Sequence, residues 1–214
     1  MKKTFYITTP IYYVNDKPHI GHAYTTILAD VLARFHRDSG YDTFFLTGLD
    51  EHGQKVQEAA KQKNIDPQKH CDAMAPRFIE LWKKLHISND DFIRTTEDRH
   101  KSIVQYILQR VMDNGDIYEA EYEGLYSVSE ERFITEKEAD SGEFRGIKKL
   151  KEKNYFFKMS KYQDQLIDHI QLNPKFIQPE HRKNEILGFL RKPLNDLCIS
   201  RPKSRLEWGI ELPF

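Results

Sequence analysis

The chain has 214 residues, enough to bury a sizeable core and form one or two domains. Lys+Arg and Asp+Glu are equal at 33 each and hydrophobic residues make up 39%, so the composition is that of a globular protein and gives no electrostatic argument for nucleic acid. No apolar run approaches the ~20 residues that cross a bilayer, the start lacks the apolar core of a signal peptide, and the two cysteines, Cys71 and Cys198, fit no metal motif, so a reducing, cytoplasmic setting without a membrane partner is expected.

In chain order, residues 4–8 (TFYIT) are β-branched and aromatic and run into Pro10, which predicts a short buried strand entering a loop. Residues 23–39 carry Ile27, Leu28, Val31, Leu32 and Phe35 at helical spacing, and Gly40 supplies a stop. A second strand is predicted at 43–47 (TFFLT), helices at 54–63 and after Pro67, a third strand at 91–95 and a helix at 102–111. Alternating strands and helices of this kind predict an α/β fold, a Rossmann-like parallel sheet covered by helices. The texture changes at Asn114-Gly115-Asp116. Aromatic-rich strands at 117–129 and 154–158 flank a charged segment, 136–153, and predict a small mixed α/β insert. Helices follow at 162–171 and up to Leu190, and Trp208 to Phe214 reads as a strand with nothing after it, which suggests truncation.

Two motifs sit where the first two strands end. In Pro18-His19-Ile20-Gly21-His22 a strand gives way to a helix, whose first N–H groups and dipole favour a phosphate. Each imidazole can donate to a polyphosphate oxygen, and Gly21 leaves the backbone open to a flat base. Two such histidines are equally often surface or capping residues; the strand before, the flanking proline and the long helix after favour function. Asp50-Glu51-His52-Gly53 closes the second strand. Ligands of parallel sheets gather at the carboxyl ends of strands, and a carboxylate there can pair with an ammonium group, although such a loop in isolation reads as solvated charge.

The run Phe5-Tyr6-Ile7-Thr8-Thr9-Pro10-Ile11-Tyr12-Tyr13-Val14-Asn15, with His19 to His22 and Ala23-Tyr24-Thr25-Thr26, resembles the bacterial methionyl-tRNA synthetases, class I synthetases with a HIGH motif. The resemblance continues through Gly48-Leu49-Asp50-Glu51-His52-Gly53, Asp91-Phe92-Ile93-Arg94-Thr95-Thr96, Tyr122-Glu123-Gly124-Leu125-Tyr126 and Ile199-Ser200-Arg201-Pro202-Lys203-Ser204. It implies that 1–114 is the first half of the catalytic domain, 115–205 a connective insert without zinc ligands, and 206–214 the return to the catalytic domain, cut short. It implies ATP contacts from Asn15, His19, Gly21 and His22, with the two histidines catalytic, and methionine contacts from Ile11, Tyr13 and Asp50, Asp50 holding the amino group. A thioether is a weak acceptor, so its pocket must work by shape and apolar walls. Arg201 is a candidate contact to substrate carboxylate or phosphate, with an exposed loop arginine nearly as good a reading.

The family's second lysine motif, K-M-S-K-S, has a near match in Lys158-Met159-Ser160-Lys161, followed by Tyr162. It falls in the insert, where Ser160 would serve as a helix cap and the lysines as surface charge, and the true motif is expected beyond residue 214. Many relatives carry C-x-x-C zinc pairs where this chain has Ser127-Val128-Ser129-Glu130. The insert is therefore expected to be metal-free and held by Tyr122, Tyr126, Phe133 and Phe144. The implied activity is ATP-dependent formation of methionyl-adenylate, with Mg²⁺ accompanying ATP, and transfer to tRNA(Met), this fragment alone being impaired. Two alternatives stand beside it: another HIGH-motif nucleotidyltransferase, and a non-catalytic fragment that binds a ligand or partner.

Overall fold

The computed structural model describes residues 2–129 and 132–214, without the side chains of Tyr122 and Arg132. It forms two compact units, Met1–Ile107 with Leu206–Phe214, and Leu108–Arg205.

The first unit is built on a parallel sheet. Its central strand, β3 (Asp42–Asp50), pairs with β1 (Thr4–Thr8) and then β2 (Tyr12–Tyr13) along one edge, and with β4 (Asp91–Arg94) along the other. Gly48 faces Ile93 across the β3–β4 ladder, and a Cβ there would fall on the Ile93 carbonyl, so only glycine permits the approach. Helices α1 (Ile20–Asp38), α2 (Gln54–Gln62), α3 (Pro67–Lys84) and α4 (Asp98–Asp113) follow the strands, α4 carrying the chain into the second unit. Asp66 caps α3 by accepting from the amides of Gln68 and Lys69 at 2.9 and 3.3 Å, and Pro67 opens the first turn. Cys71, Met74, Ala75, Phe78 and Trp82 then fall on one face of α3, packed with Tyr12, Val14, Leu49 and Val56.

Two expectations change here. The strand β1 is not buried throughout: exposure alternates along it and Tyr6 is 61% exposed, as on an edge strand with one covered face. The stripe Ile27, Leu28, Val31, Leu32 and Phe35 does mark a helix, but it faces outward; α1 buries Thr26, Ala29, Asp30 and Ala33. Small residues allow close approach to the sheet, with Phe45 against Ala29 and Ala33. The buried Asp30 carboxylate is satisfied by Arg34 Nε at 2.7 Å and by the Ser88 amide and hydroxyl at 2.7 and 2.6 Å.

The second unit is an antiparallel sheet with short helices. The long pair β5 (Ile117–Ser127) and β7 (Ile147–Phe157) is flanked by β6 (Arg132–Ile134) and β8 (Leu197–Cys198). Helix α5 (Glu136–Asp140) lies between β6 and β7, and α6 (Gln163–Leu172) and α7 (Glu180–Leu190) precede β8. The charged segment 136–153 thus splits into a helix and most of a strand. Glu119, Glu121 and Glu123 on β5 make ion pairs with Lys153, Lys151 and Lys149 on β7, all well exposed. On the opposite face Tyr126 is buried, with Phe133 edge-on at 5.3 Å and the Arg205 guanidinium 4.2 Å from its ring centre. Arg205 also bonds Glu152 at 2.7 Å.

Candidate functional site

The segment between β1 and α1 is fixed from beneath. Val14 has no solvent exposure, and its carbonyl lies 2.9 Å from Nε2 of the buried His70 on α3. Tyr12 is buried beside it, its hydroxyl 2.9 Å from that of Thr26. Alternation then turns Ile11, Tyr13 and Asn15 outward. These three, with Tyr12, Asp16, Lys17, His19 and His22, line an open cavity of about 390 Å³.

The two histidines form a reciprocal cap at the start of α1. His19 Nδ1 accepts from the Gly21 amide at 3.1 Å, and His22 Nδ1 accepts from the His19 amide at 3.2 Å. An imidazole nitrogen that accepts carries no proton, so both neutral rings hold their hydrogen on Nε2. The rings stack at 3.7 Å, and His22 also packs against Tyr12 at 4.7 Å and Phe78 at 5.5 Å. Burial, and then the neighbouring His19, hold the His22 pKa below the usual histidine value. The arrangement favours two neutral rings, each with an Nε2 donor not spent on the helix cap. Gly21 has a reason that motif spacing does not reveal: a Cβ would meet the His19 ring at 3.0 Å.

Asp50 does not line this cavity, but it is the ladder partner of Tyr13, which does. Paired residues of a parallel ladder share a face of the sheet. Lys55 at the start of α2 sits 5.6 Å over the Tyr13 ring, a neighbour that the motifs did not single out. The residue after Asp50 is buried and bonded at its side chain, amide and carbonyl. Glu51 has no exposure; its carboxylate accepts from Arg94 Nε at 2.8 Å and from the Thr96 hydroxyl. Its amide donates to the Thr95 hydroxyl at 2.9 Å, and its carbonyl accepts from the Trp208 indole and from Cys71 Sγ at 3.6 Å. His52 lies 5.4 Å from the Trp208 ring, and burial, with lesser contributions from His100 and Lys101, pushes its pKa down to about 4. The segment 208–214, expected to be a strand, is not one. Gln57 Oε1 accepts from the Glu207 and Trp208 amides at 3.0 and 3.1 Å, the Trp208 carbonyl accepts from the Gly53 amide, and the Glu211 carbonyl accepts from the Gln105 side chain, so two glutamines and a loop amide occupy groups that a ladder would use.

Arg201 belongs to the second unit, where its guanidinium donates to the Ser200 carbonyl at 2.7 Å and lies 5.6 Å from the Tyr126 ring centre. Lys158 Nζ donates to the Gly115 carbonyl at 2.6 Å, and Lys161 Nζ pairs with Asp116 at 2.6 Å. Ser160 is not a helix cap: its amide and hydroxyl both donate to Asp196. Lys161 is more than surface charge, because its partner Asp116 is buried and also accepts from the Tyr162 hydroxyl. In the segment expected to lack zinc ligands, the Ser127 and Ser129 hydroxyls lie 3.0 Å apart and the Arg145 amide donates to the Ser129 hydroxyl; Glu130 lies outside the described residues.

The family model for class I tRNA synthetases of the M type matches residues 5–143 and 141–214. The chain is 52% identical to a methionine–tRNA ligase from Rickettsia bellii over 217 residues, covering all of this chain and 42% of that relative. A methionine–tRNA ligase from Bacillus subtilis is 49% identical over 226 residues, covering 98% of this chain and 34% of the relative. The chain thus spans well under half the length of these relatives. A Mycobacterium tuberculosis methionyl-tRNA synthetase solved in complex with methionyl-adenylate matches with a TM-score of 0.93 and 40% identity, over the whole of this chain and 43% of that one.

Proposed function

The chain belongs to the methionyl-tRNA synthetases of class I, and from that membership we propose that the protein activates methionine with ATP and passes the methionyl group to tRNA(Met), in the cytoplasm. In the first step the methionine carboxylate attacks the α-phosphate, giving methionyl-adenylate and pyrophosphate. In the second, the terminal ribose hydroxyl of tRNA takes the acyl group. The protein positions the reactants and stabilises charge, with Mg²⁺ arriving on ATP. His19 and His22 donate from Nε2 to the triphosphate as charge builds, and Asn15 and Gly21 border the nucleotide. Ile11 and Tyr13 wall the thioether, and Asp50 holds the ammonium group. No step is assigned to Arg201.

The observation that carries this reading is the reciprocal cap, which commits both Nδ1 atoms to the backbone and leaves two Nε2 donors beside the cavity. A helix start that already favours anions is thereby given two further donors. The test is His22→Ala in the full-length protein. Loss of one preorganised donor should slow adenylate formation on the order of a hundredfold in single turnover. An unchanged rate with only weaker methionine binding would contradict the role. Asp50→Ala should weaken methionine binding itself. The 214-residue chain alone should be deficient in methionine-dependent pyrophosphate exchange, since the Rickettsia bellii relative carries more than half its length outside the match.

A further inference from the structure

Residues 51–53, which lead from the end of β3 at Asp50 into α2, are held from four directions although they form a loop. The Glu51 amide, which shares its peptide plane with the Asp50 carbonyl, is fixed by Thr95. The next peptide plane is fixed at the Glu51 carbonyl by the Trp208 indole and Cys71, and the Gly53 amide donates back to the Trp208 carbonyl at 3.3 Å. Glu51 itself is anchored through Arg94 and Thr96. Trp208 is the third residue of the segment that re-enters the first unit at Leu206, and Gln57 Oε1 holds it there by accepting from the Trp208 and Glu207 amides. So many fixed groups around one short turn exceed what closing a surface loop requires, and the side chains that alternate away from Glu51 are those of Asp50 and His52.

We propose that Trp208, acting with Glu51, is a positioning residue that latches residues 50–53 so that the Asp50 carboxylate is held ready for the ammonium group of the substrate. This rests on the reading of Asp50 given above. The latch acts on substrate selection: a preorganised carboxylate favours an ammonium over a hydroxyl at the same position, whereas a carboxylate on a loose turn discriminates less and pays ordering entropy on binding. Nucleotide contacts at His19 and His22 do not depend on it.

The experiment compares binding of L-methionine with that of its 2-hydroxy analogue, in which a hydroxyl replaces the ammonium, on the full-length protein. Trp208→Phe removes the indole N–H while keeping an aromatic ring beside His52. The preference for methionine should fall about fivefold, the size of one lost neutral hydrogen bond, with binding of the analogue and of ATP unchanged. Gln57→Leu, which removes the acceptor for the Glu207 and Trp208 amides without touching the core indole, should act in the same direction and guards against a folding defect in the first variant. A preference that survives in both variants, or a parallel loss for methionine, analogue and ATP, overturns the latch. A wild-type protein that shows no preference overturns the assignment of Asp50, and with it the latch.

Discussion

Replacing Arg94 by methionine isolates the energetics of the buried carboxylate beneath the site. Arg94 donates to Glu51 at 2.8 Å and to Asp72 at 2.6 Å. Methionine keeps much of the apolar stem and removes the charge. Asp72 is 52% exposed, so water replaces its partner at little cost. Glu51 has no exposed side-chain surface, and among the described residues the Thr96 hydroxyl alone would remain on its carboxylate. Breaking a buried pair from one side typically costs about 3–5 kcal/mol. Because Arg94 is itself 22% exposed, water can enter where it stood, so the lower end applies, about 3 kcal/mol. That is a large share of the roughly 5–15 kcal/mol that holds a domain together. Urea unfolding of the 214-residue chain at neutral pH, followed by circular dichroism, measures it. Adding Glu51→Gln to the variant should recover a substantial part, since an uncharged amide is easier to bury than an unpaired carboxylate. A loss below about 1 kcal/mol, on the scale of an exposed pair, or no recovery in the double variant, would refute the reasoning.

His52 should make stability pH-dependent. With its folded pKa near 4 and an unfolded value near 6.5, the unfolded chain takes up the proton first. Stability is then full above pH 6.5 and falls as pH drops to 4, by about 1–2 kcal/mol once solvent screening of the partly buried ring is allowed for; His52→Gln should flatten that part of the profile, and identical profiles would contradict it. In the full-length protein, Lys158→Ala with Lys161→Ala should leave pyrophosphate exchange nearly unchanged, with some loss of stability because Asp116 loses its ammonium partner. A large fall in exchange with the fold intact would place that segment in the active site. Metal analysis of the purified chain should find no zinc, Ser127 and Glu130 standing where the resemblance would put the two thiolates of a C-x-x-C pair; stoichiometric zinc that a chelator removes would overturn this.

Helix α1 is legible in the sequence because its apolar stripe has helical spacing and Gly40 follows. Its orientation is not, since Ala29 and Ala33 face the sheet by being small rather than by being the most apolar. Tyr12–Tyr13 is too short to announce a strand, and it exists because β3 offers Leu49 and Asp50 as partners. The alternation of Trp208, Ile210, Leu212 and Phe214 resembles a strand, yet Gln57 and Gln105 take up its backbone groups, and nothing local encodes that. The histidine motif stands out by spacing, whereas its tautomers depend on where two Nδ1 atoms point. Glu51 reads as a solvated loop charge because the arginine that draws it inside lies 43 residues away.

The charged face of the β5–β7 pair has a consequence for how this hairpin finds its alignment. The three glutamates on β5 run beside lysines spaced two apart on β7, so sliding one strand by two residues still leaves two of the three ion pairs able to form. The ionic row therefore detects parity and is nearly blind to position. Sorting among in-phase alignments falls to the other face, where Glu152 and Asn154, besides bonding each other, each meet a distant partner at a fixed address. Glu152 meets Arg205, and Asn154 meets Ser200, whose hydroxyl also accepts from the Tyr155 amide. Those partners lie some fifty residues further along the chain. A newly formed hairpin would thus be free to shuttle between slipped forms until the segment around residues 199–205 arrives and locks one of them.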